Sequence, residues 1–197
     1  MDVRSGALTH SYGTTKYVDV ILSVPATWST SSGVGDAVAG IKRRFMDNAA
    51  SSNALSIELQ LPSGKVGKGL GSGKTGAALT WITSCQAEPW RLYANLGLTL
   101  NRFSRQADRD TLRRLPWRAS VATTYGINPQ WKLVADTGLS QATQRTDHRA
   151  PAYLLAGAVF SPNADLDLDV GLRVGAGCAG CMDRIDRQIG VGATWRF

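Results

Sequence analysis

Gln188-Ile189-Gly190-Val191-Gly192-Ala193-Thr194-Trp195-Arg196-Phe197 closes the chain, and its reading decides how everything before it is read. Ile189, Val191, Ala193, Trp195 and Phe197 fall on one side of an extended segment, and Gln188, Gly190, Gly192, Thr194 and Arg196 on the other. A period of two is the signature of a strand with one apolar and one polar face. The preceding segment repeats it: Leu166, Leu168, Val170, Leu172 and Val174 oppose Asp165, Asp167, Asp169, Gly171 and Arg173. Further back, Trp131, Leu133, Ala135 and Leu139 oppose Lys132, Asp136 and Ser140. The cleanest case is 90–101, where Trp90, Leu92, Ala94, Leu96, Leu98 and Leu100 oppose Arg91, Tyr93, Asn95, Gly97, Thr99 and Asn101. Segments 54–61 and 18–24 alternate too, and 3–12, 36–45, 76–86, 116–126 and 151–160 do so less regularly. The total is eleven predicted strands.

Composition narrows what such strands build. The 197 residues are 43% hydrophobic, with 21 glycines, six tryptophans and a net charge of +7. The longest apolar run, Ala152 to Phe160, is far below the roughly 20 residues of a membrane-crossing helix. Alternating strands can still cross, because polar inward residues dilute the hydropathy. Several segments run to about ten residues, which is the crossing length of a tilted strand and more than soluble sheets commonly use.

The connections sort by length. Tyr12–Lys16, Met46–Asn53, Glu88-Pro89, Asn128-Pro129 and Ser161-Pro162-Asn163 are the shorter ones. Trp28–Gly35, Pro62–Gly76, Asn101–Pro116, Thr143–Ala150 and Gly175–Arg187 are the longer ones, and the two kinds alternate. Outer-membrane barrels have short periplasmic turns and long extracellular loops, and they commonly end on an aromatic strand like this one. The expectation is therefore one all-β domain over 1–197, an antiparallel up-and-down transmembrane β-barrel in the bacterial outer membrane. Bacterial barrels close with an even number of strands. Eleven is odd, so a parent barrel of twelve strands and an N-terminally truncated chain are expected.

The candidate chemistry is sparse. Gly69-Leu70-Gly71-Ser72-Gly73-Lys74-Thr75 resembles a phosphate loop, but that motif needs glycine where Lys68 stands, and a strand follows instead of a helix. Cys178 and Cys181 form a C-x-x-C in a long loop, with Cys85, His10 and His148 scattered elsewhere. A local disulfide is the first reading, with free thiols or a metal site as the alternatives. Arg102, Arg105, Arg109, Arg113 and Arg114 crowd one long loop, with Arg118 on its flank. Lipopolysaccharide phosphates or plain solvation explain them better than nucleic acid, since Phe103 is the lone aromatic for base stacking. Glu58, Arg91, Tyr93, Asn95, Lys132, Asp136, Asp165, Asp167, Asp169, Arg173 and Arg196 are expected to line the lumen. They would serve as a salt-bridge network or as a lining that guides a solute. No nucleophile set accompanies His10 or His148, so no enzyme, cofactor or metal is expected.

Short stretches carry a family resemblance. They are Ser23-Val24-Pro25, Gly35-Asp36-Ala37-Val38-Ala39-Gly40-Ile41-Lys42-Arg43-Arg44-Phe45, Leu59-Gln60-Leu61-Pro62-Ser63-Gly64, Gly69–Gly73, Leu96-Gly97-Leu98-Thr99 and the terminus from Asp165. With these the chain resembles, from about residue 17 onward, the outer-membrane transporter family named for the MetA pathway of phenol degradation. The resemblance implies passive passage of small, often hydrophobic or aromatic, molecules, and assigns no residue to substrate. The expected partners are outer-membrane lipid, lipopolysaccharide, a small-molecule solute and the barrel-assembly machinery, which would engage the strand ending at Phe197. Two other functions stay open: a plugged, adhesive barrel displaying basic loops, and an outer-leaflet lipid-modifying enzyme with His148 at its site.

Overall fold

The computed structural model describes residues 4–29, 31–176 and 187–197. Its strands are β1 (Arg4–Thr15), β2 (Val18–Trp28), β3 (Gly33–Val34), β4 (Val38–Asp47), β5 (Ser51–Gln60), β6 (Gly76–Ala87), β7 (Trp90–Leu100), β8 (Trp117–Gly126), β9 (Trp131–Ser140), β10 (Ala152–Phe160), β11 (Leu166–Ala176) and β12 (Arg187–Trp195). A 3-10 turn at Val66–Lys68 and a short helix α1 (Gln106–Thr111) lie in loops. All strands belong to one antiparallel sheet in sequence order, except that the two-residue β3 branches off β2. The eleven long strands match the eleven read from the sequence; β3, the 3-10 turn and α1 fall in segments read there as loop.

Alternation sets which way each side chain faces, and the apolar face is the uncovered one. Among the described residues the only buried apolar side chains are Ala54 and Ala142, whereas Leu8, Leu96, Leu154, Ile189 and Val191 are 79%, 52%, 57%, 77% and 81% exposed. A soluble sandwich buries such residues between two sheets. Here the apolar face is a continuous belt far larger than a water-soluble monomer carries, and the medium that suits it is hydrocarbon. The long strands, of nine to twelve residues, have the span of a bilayer core. Aromatic pairs mark the end with the short turns: Trp90 against Tyr125 with ring centroids 4.8 Å apart, and Trp131 against Phe160 at 4.7 Å. Rings of this kind sit at the membrane–water interface.

The sheet curls until its ends approach: the rings of His10 on β1 and Phe197 beyond β12 stack at 5.6 Å. Strand direction alternates along the ladder, so the two end strands run the same way.

The inward face explains much of the glycine content. Four inward glycines each face a large polar side chain directly across the ladder: Gly40 and Glu58, Gly97 and Arg118, Gly138 and Tyr153, Gly192 and Asp169. A Cβ added to the glycine would meet Glu58 Cγ at 2.7 Å, Arg118 Nε at 2.9 Å, Tyr153 Cε1 at 2.6 Å or Asp169 Oδ2 at 2.5 Å. Each polar side chain thus lies down over bare backbone instead of standing up into the lumen. Glycine in a strand marks such a close approach.

Candidate functional site

The long loops gather at one end of the sheet and are tied by two latches. The first is Asp36, in the connection before β4 and 5% exposed. Its carboxylate accepts hydrogen bonds from Gln60 Nε2 (3.0 Å), the Gly64 N–H (2.9 Å), and the Ser72 N–H and hydroxyl (both 2.8 Å). Burial by itself would raise the carboxyl's pKa; the Ser72, Gly64 and Gln60 hydrogen bonds together outweigh it and hold the group below the usual carboxylate range. The 61–75 loop is thereby folded over one anion. A Cβ on Gly71 would sit 2.6 Å from Asp36 Oδ1, so only glycine fits beside it.

The second latch is Arg113. Its guanidinium donates to the carbonyls of Ala142 (3.1 Å), Gln144 (3.3 Å), Arg145 (3.3 Å) and Asp147 (2.9 Å). A bridge between Leu112 and Gln144 runs alongside. Arg113 therefore straps the 101–116 loop to the 141–151 loop. Within the latter, Arg149 grips Asp147 through two guanidinium bonds of 2.9 and 2.7 Å, which, ahead of the Arg149 N–H, bring that carboxyl down to about 2. The 101–116 loop also reaches the Asp36-latched loop, because the Ser104 N–H donates to the Ser72 carbonyl at 2.8 Å. Replacing Arg113 with alanine should free the 141–151 loop. Limited trypsin cleavage after Arg145 or Arg149 should accelerate about tenfold, since local opening governs such cleavage. Unchanged cleavage would show that the strap is not what holds the loop.

Between these loops lies a pocket of about 350 Å3 lined by Lys74, Asn101, Arg102, Phe103, Arg109, Leu112, Arg114 and Arg145. Of the loop arginines expected to face lipopolysaccharide, Arg102, Arg105, Arg109 and Arg114 are exposed. Arg113 is half-buried and spends its donors within the protein.

The inward wall carries the remaining polar groups. Tyr153 donates its hydroxyl to Asp136 Oδ2 at 2.9 Å, and the Arg173 guanidinium lies 3.9 Å from the Tyr153 ring centre. Asp136 Oδ1 is buried and has no partner among the described residues. Asp167 pairs with Arg196 and accepts from Ser161 Oγ at 2.6 Å. Along the same wall from β2 to β8, Lys42 and Asp19 pair at 2.7 Å, Ser56 donates to Glu58 at 3.1 Å, and Arg118 reaches Thr80 Oγ1 at 3.3 Å. Asn95 donates to Ser120 at 3.2 Å. Val134, Leu155, Asp167, Asp169, Arg173 and Gln188 line a cavity of about 500 Å3 on this wall.

The residues expected in the lumen thus separate. Asp136 and Arg173 come together around Tyr153, and Asp167 joins Arg196. Glu58 stands on β5, apart from them, and Arg91 lies near the short-turn end of β7. Asp165 precedes β11 in the turn, where its carbonyl accepts the Arg196 N–H at 2.7 Å. Tyr93 and Lys132 are half-buried on the polar alternation of β7 and β9. Tyr153 escaped the sequence reading because it sits in the apolar run Ala152–Phe160; its place on the inward alternation was the available signal. Asp36 and Ser72 escaped because their partners lie 24 to 36 residues apart in sequence. Cys178 and Cys181 lie outside the described residues, and Cys85 is exposed with a free thiol. No cluster of metal-binding side chains occurs among the described residues.

Comparison with known proteins places this architecture. The solved structure titled NanC porin in a rhombohedral crystal form superposes with a TM-score of 0.74 at 11% identity, covering 99% of this chain and 94% of that one. At that identity the match speaks for the fold, an outer-membrane-type β-barrel. No curated protein matches the chain significantly. The sequence model of the family described as "Putative MetA-pathway of phenol degradation" matches residues 3–177, and the chain belongs to that family.

Proposed function

We propose that the protein is a non-enzymatic outer-membrane channel that passes small molecules with an apolar body and a polar group, aromatic ones among them. The observation that carries this reading is the 500 Å3 cavity on the inward wall of a sheet whose outward face is apolar. Val134 and Leu155 offer it apolar surface, and Asp167, Asp169, Arg173 and Gln188 offer charge and hydrogen bonds. A wall of both kinds lets a mixed solute replace its water shell step by step without being held. The family's description, which names phenol degradation, supports the same solute class. In this reading the long loops face the outside and the short turns the periplasm.

The test is refolding of the full chain in detergent, heat-modifiable migration on a gel, and conductance in a planar bilayer. Discrete openings that phenol or catechol block in a concentration-dependent way are expected. Replacing Arg173 with alanine should lower the anion-to-cation permeability ratio about threefold, because its guanidinium is the cation that the described residues place in the cavity lining. A folded, heat-modifiable protein that conducts nothing would sink the channel reading and leave a plugged barrel.

A further inference from the structure

The loop pocket lies apart from the inward cavity and has a chemistry of its own. Its lining brings five cationic side chains, Lys74, Arg102, Arg109, Arg114 and Arg145, around Phe103 and Leu112, with no carboxylate among the described residues. Of the acids nearest in sequence, Asp110 accepts from Gln106 Nε2 at 2.9 Å on α1, Asp147 is held by Arg149, and Asp108, beside Arg109, does not line the pocket. Arg109 gives one N–H to Gln106 Oε1 at 2.6 Å. No hydrogen bond or ion pair within the described residues occupies the guanidinium of Arg102, Arg114 or Arg145. The cations come from three separate loops, so like charges are pressed together by chain sections free to diverge. The Asp36 latch, the Arg113 strap and the Ser104–Ser72 contact hold them there. Cations fastened around an apolar floor leave a site to which the described residues supply no anion. Its volume suits one ring, not a polymer or a folded partner.

We infer that this pocket binds a small aromatic carboxylate, the carboxylate on Arg102, Arg114 and Arg145 and the ring against Phe103 and Leu112. Guanidinium groups take carboxylates through paired N–H donors and also stack on aromatic planes. The pocket would hold such anions at the outer end of the barrel before they enter. This assignment deepens the channel reading and rests on it for the direction of entry, but the binding itself does not require conduction.

The experiment is equilibrium titration of the refolded full chain in a zwitterionic detergent with benzoate, benzyl alcohol, inorganic phosphate and purified lipopolysaccharide as probes. Benzoate is expected to bind in roughly the millimolar range, as suits a transit site. Benzyl alcohol should bind at least about tenfold more weakly for want of the charge, and phosphate more weakly for want of the ring. Raising salt to about 0.5 M should weaken benzoate severalfold. The Arg114→Gln/Arg145→Gln variant should lose about tenfold in benzoate affinity, and Phe103→Ala should lose benzoate selectivity over phosphate. Heat-modifiable migration reports whether each variant is folded, and Arg102→Gln replaces the double variant if that one is not.

Equal affinity for benzyl alcohol, equal affinity for phosphate, or no change in the folded variants would overturn the assignment. Binding of lipopolysaccharide with none of benzoate would overturn it in favour of an outer-leaflet lipid contact. Conductance is measured separately. Benzoate binding without conductance would fail the channel and keep the pocket, whereas conductance without benzoate binding would do the reverse.

Discussion

An Asp36→Ala variant is expected to lose about 3 kcal/mol of unfolding free energy, read from urea titration of the detergent-refolded protein. The carboxylate accepts four hydrogen bonds from three sequence-distant residues, and its removal leaves the Gly64 and Ser72 N–H groups facing a hole. Four charge-assisted bonds would sum to more. The loss stops near the lower figure because the rim of a barrel admits water to the freed donors. The 61–75 loop should also become a trypsin substrate at Lys65, Lys68 or Lys74. Asp36→Asn should cost less than alanine but more than nothing, since an amide turns one acceptor into a donor against the same N–H groups. The pH dependence follows from the direction of the shift. The folded-state carboxyl titrates below its unfolded value. Its contribution is therefore fully present above the ordinary aspartate range, and is lost as pH falls through that range to the lower, folded-state value. Loop opening that is negligible at neutral pH should rise only in strong acid, where an acid protease such as pepsin replaces trypsin as the probe. A wild-type loop already cleaved at pH 6 would contradict the latch.

The second large effect is expected at Gly138. Valine there would drive a Cβ to within 2.6 Å of the Tyr153 ring and 2.9 Å of the Ala119 carbonyl, and the ring cannot yield without breaking the Tyr153–Asp136 bond. Overpacking of this kind costs about 2–3 kcal/mol. Gly138→Ala should show a smaller loss of the same origin. A double-mutant cycle with Tyr153→Ala isolates the cause: removing the ring should recover most of what Gly138→Ala loses, a coupling of about 1 kcal/mol or more. Additive losses would place the strain in the Ala119 backbone instead.

The best strands were legible because their outward apolar and inward polar positions alternate, so that hydropathy reports both strand and face. Leu92, Leu96 and Leu98 against Tyr93, Asn95 and Gly97 show this without any register. The sorting of loops by length was legible for the same reason, since chain length between strands is a property of sequence. What stayed hidden needs register. Nothing local says that Gly138 lies opposite Tyr153, or that Ser72 will return to Asp36 across 36 residues. The helix at Gln106–Thr111 is six residues long and has no side-chain cap, below what propensity can announce. The arginines of its loop were visible as a charge cluster. That Arg113 would turn inward as a strap while Arg102 and Arg114 opened onto a pocket depends on the 141–151 loop arriving beside them.

The four glycine slots also constrain how this barrel can change by mutation. Any non-silent single-base change in a glycine codon that keeps the chain running installs a residue with a Cβ, so no neighbouring codon preserves the slot. The facing partners are under no such limit, because Glu58, Arg118, Tyr153 and Asp169 can each be replaced by a smaller residue without a clash. At Gly138 this fixes the order of events: the Tyr153 ring must shrink before the glycine can be substituted cheaply, whereas at Gly192 the atom met is the free end of Asp169, which can swing aside. A lineage altering what passes along this wall would walk through widened intermediates first. At Gly138 the reverse path, adding bulk at the glycine while the ring stands, is closed by the strain described there.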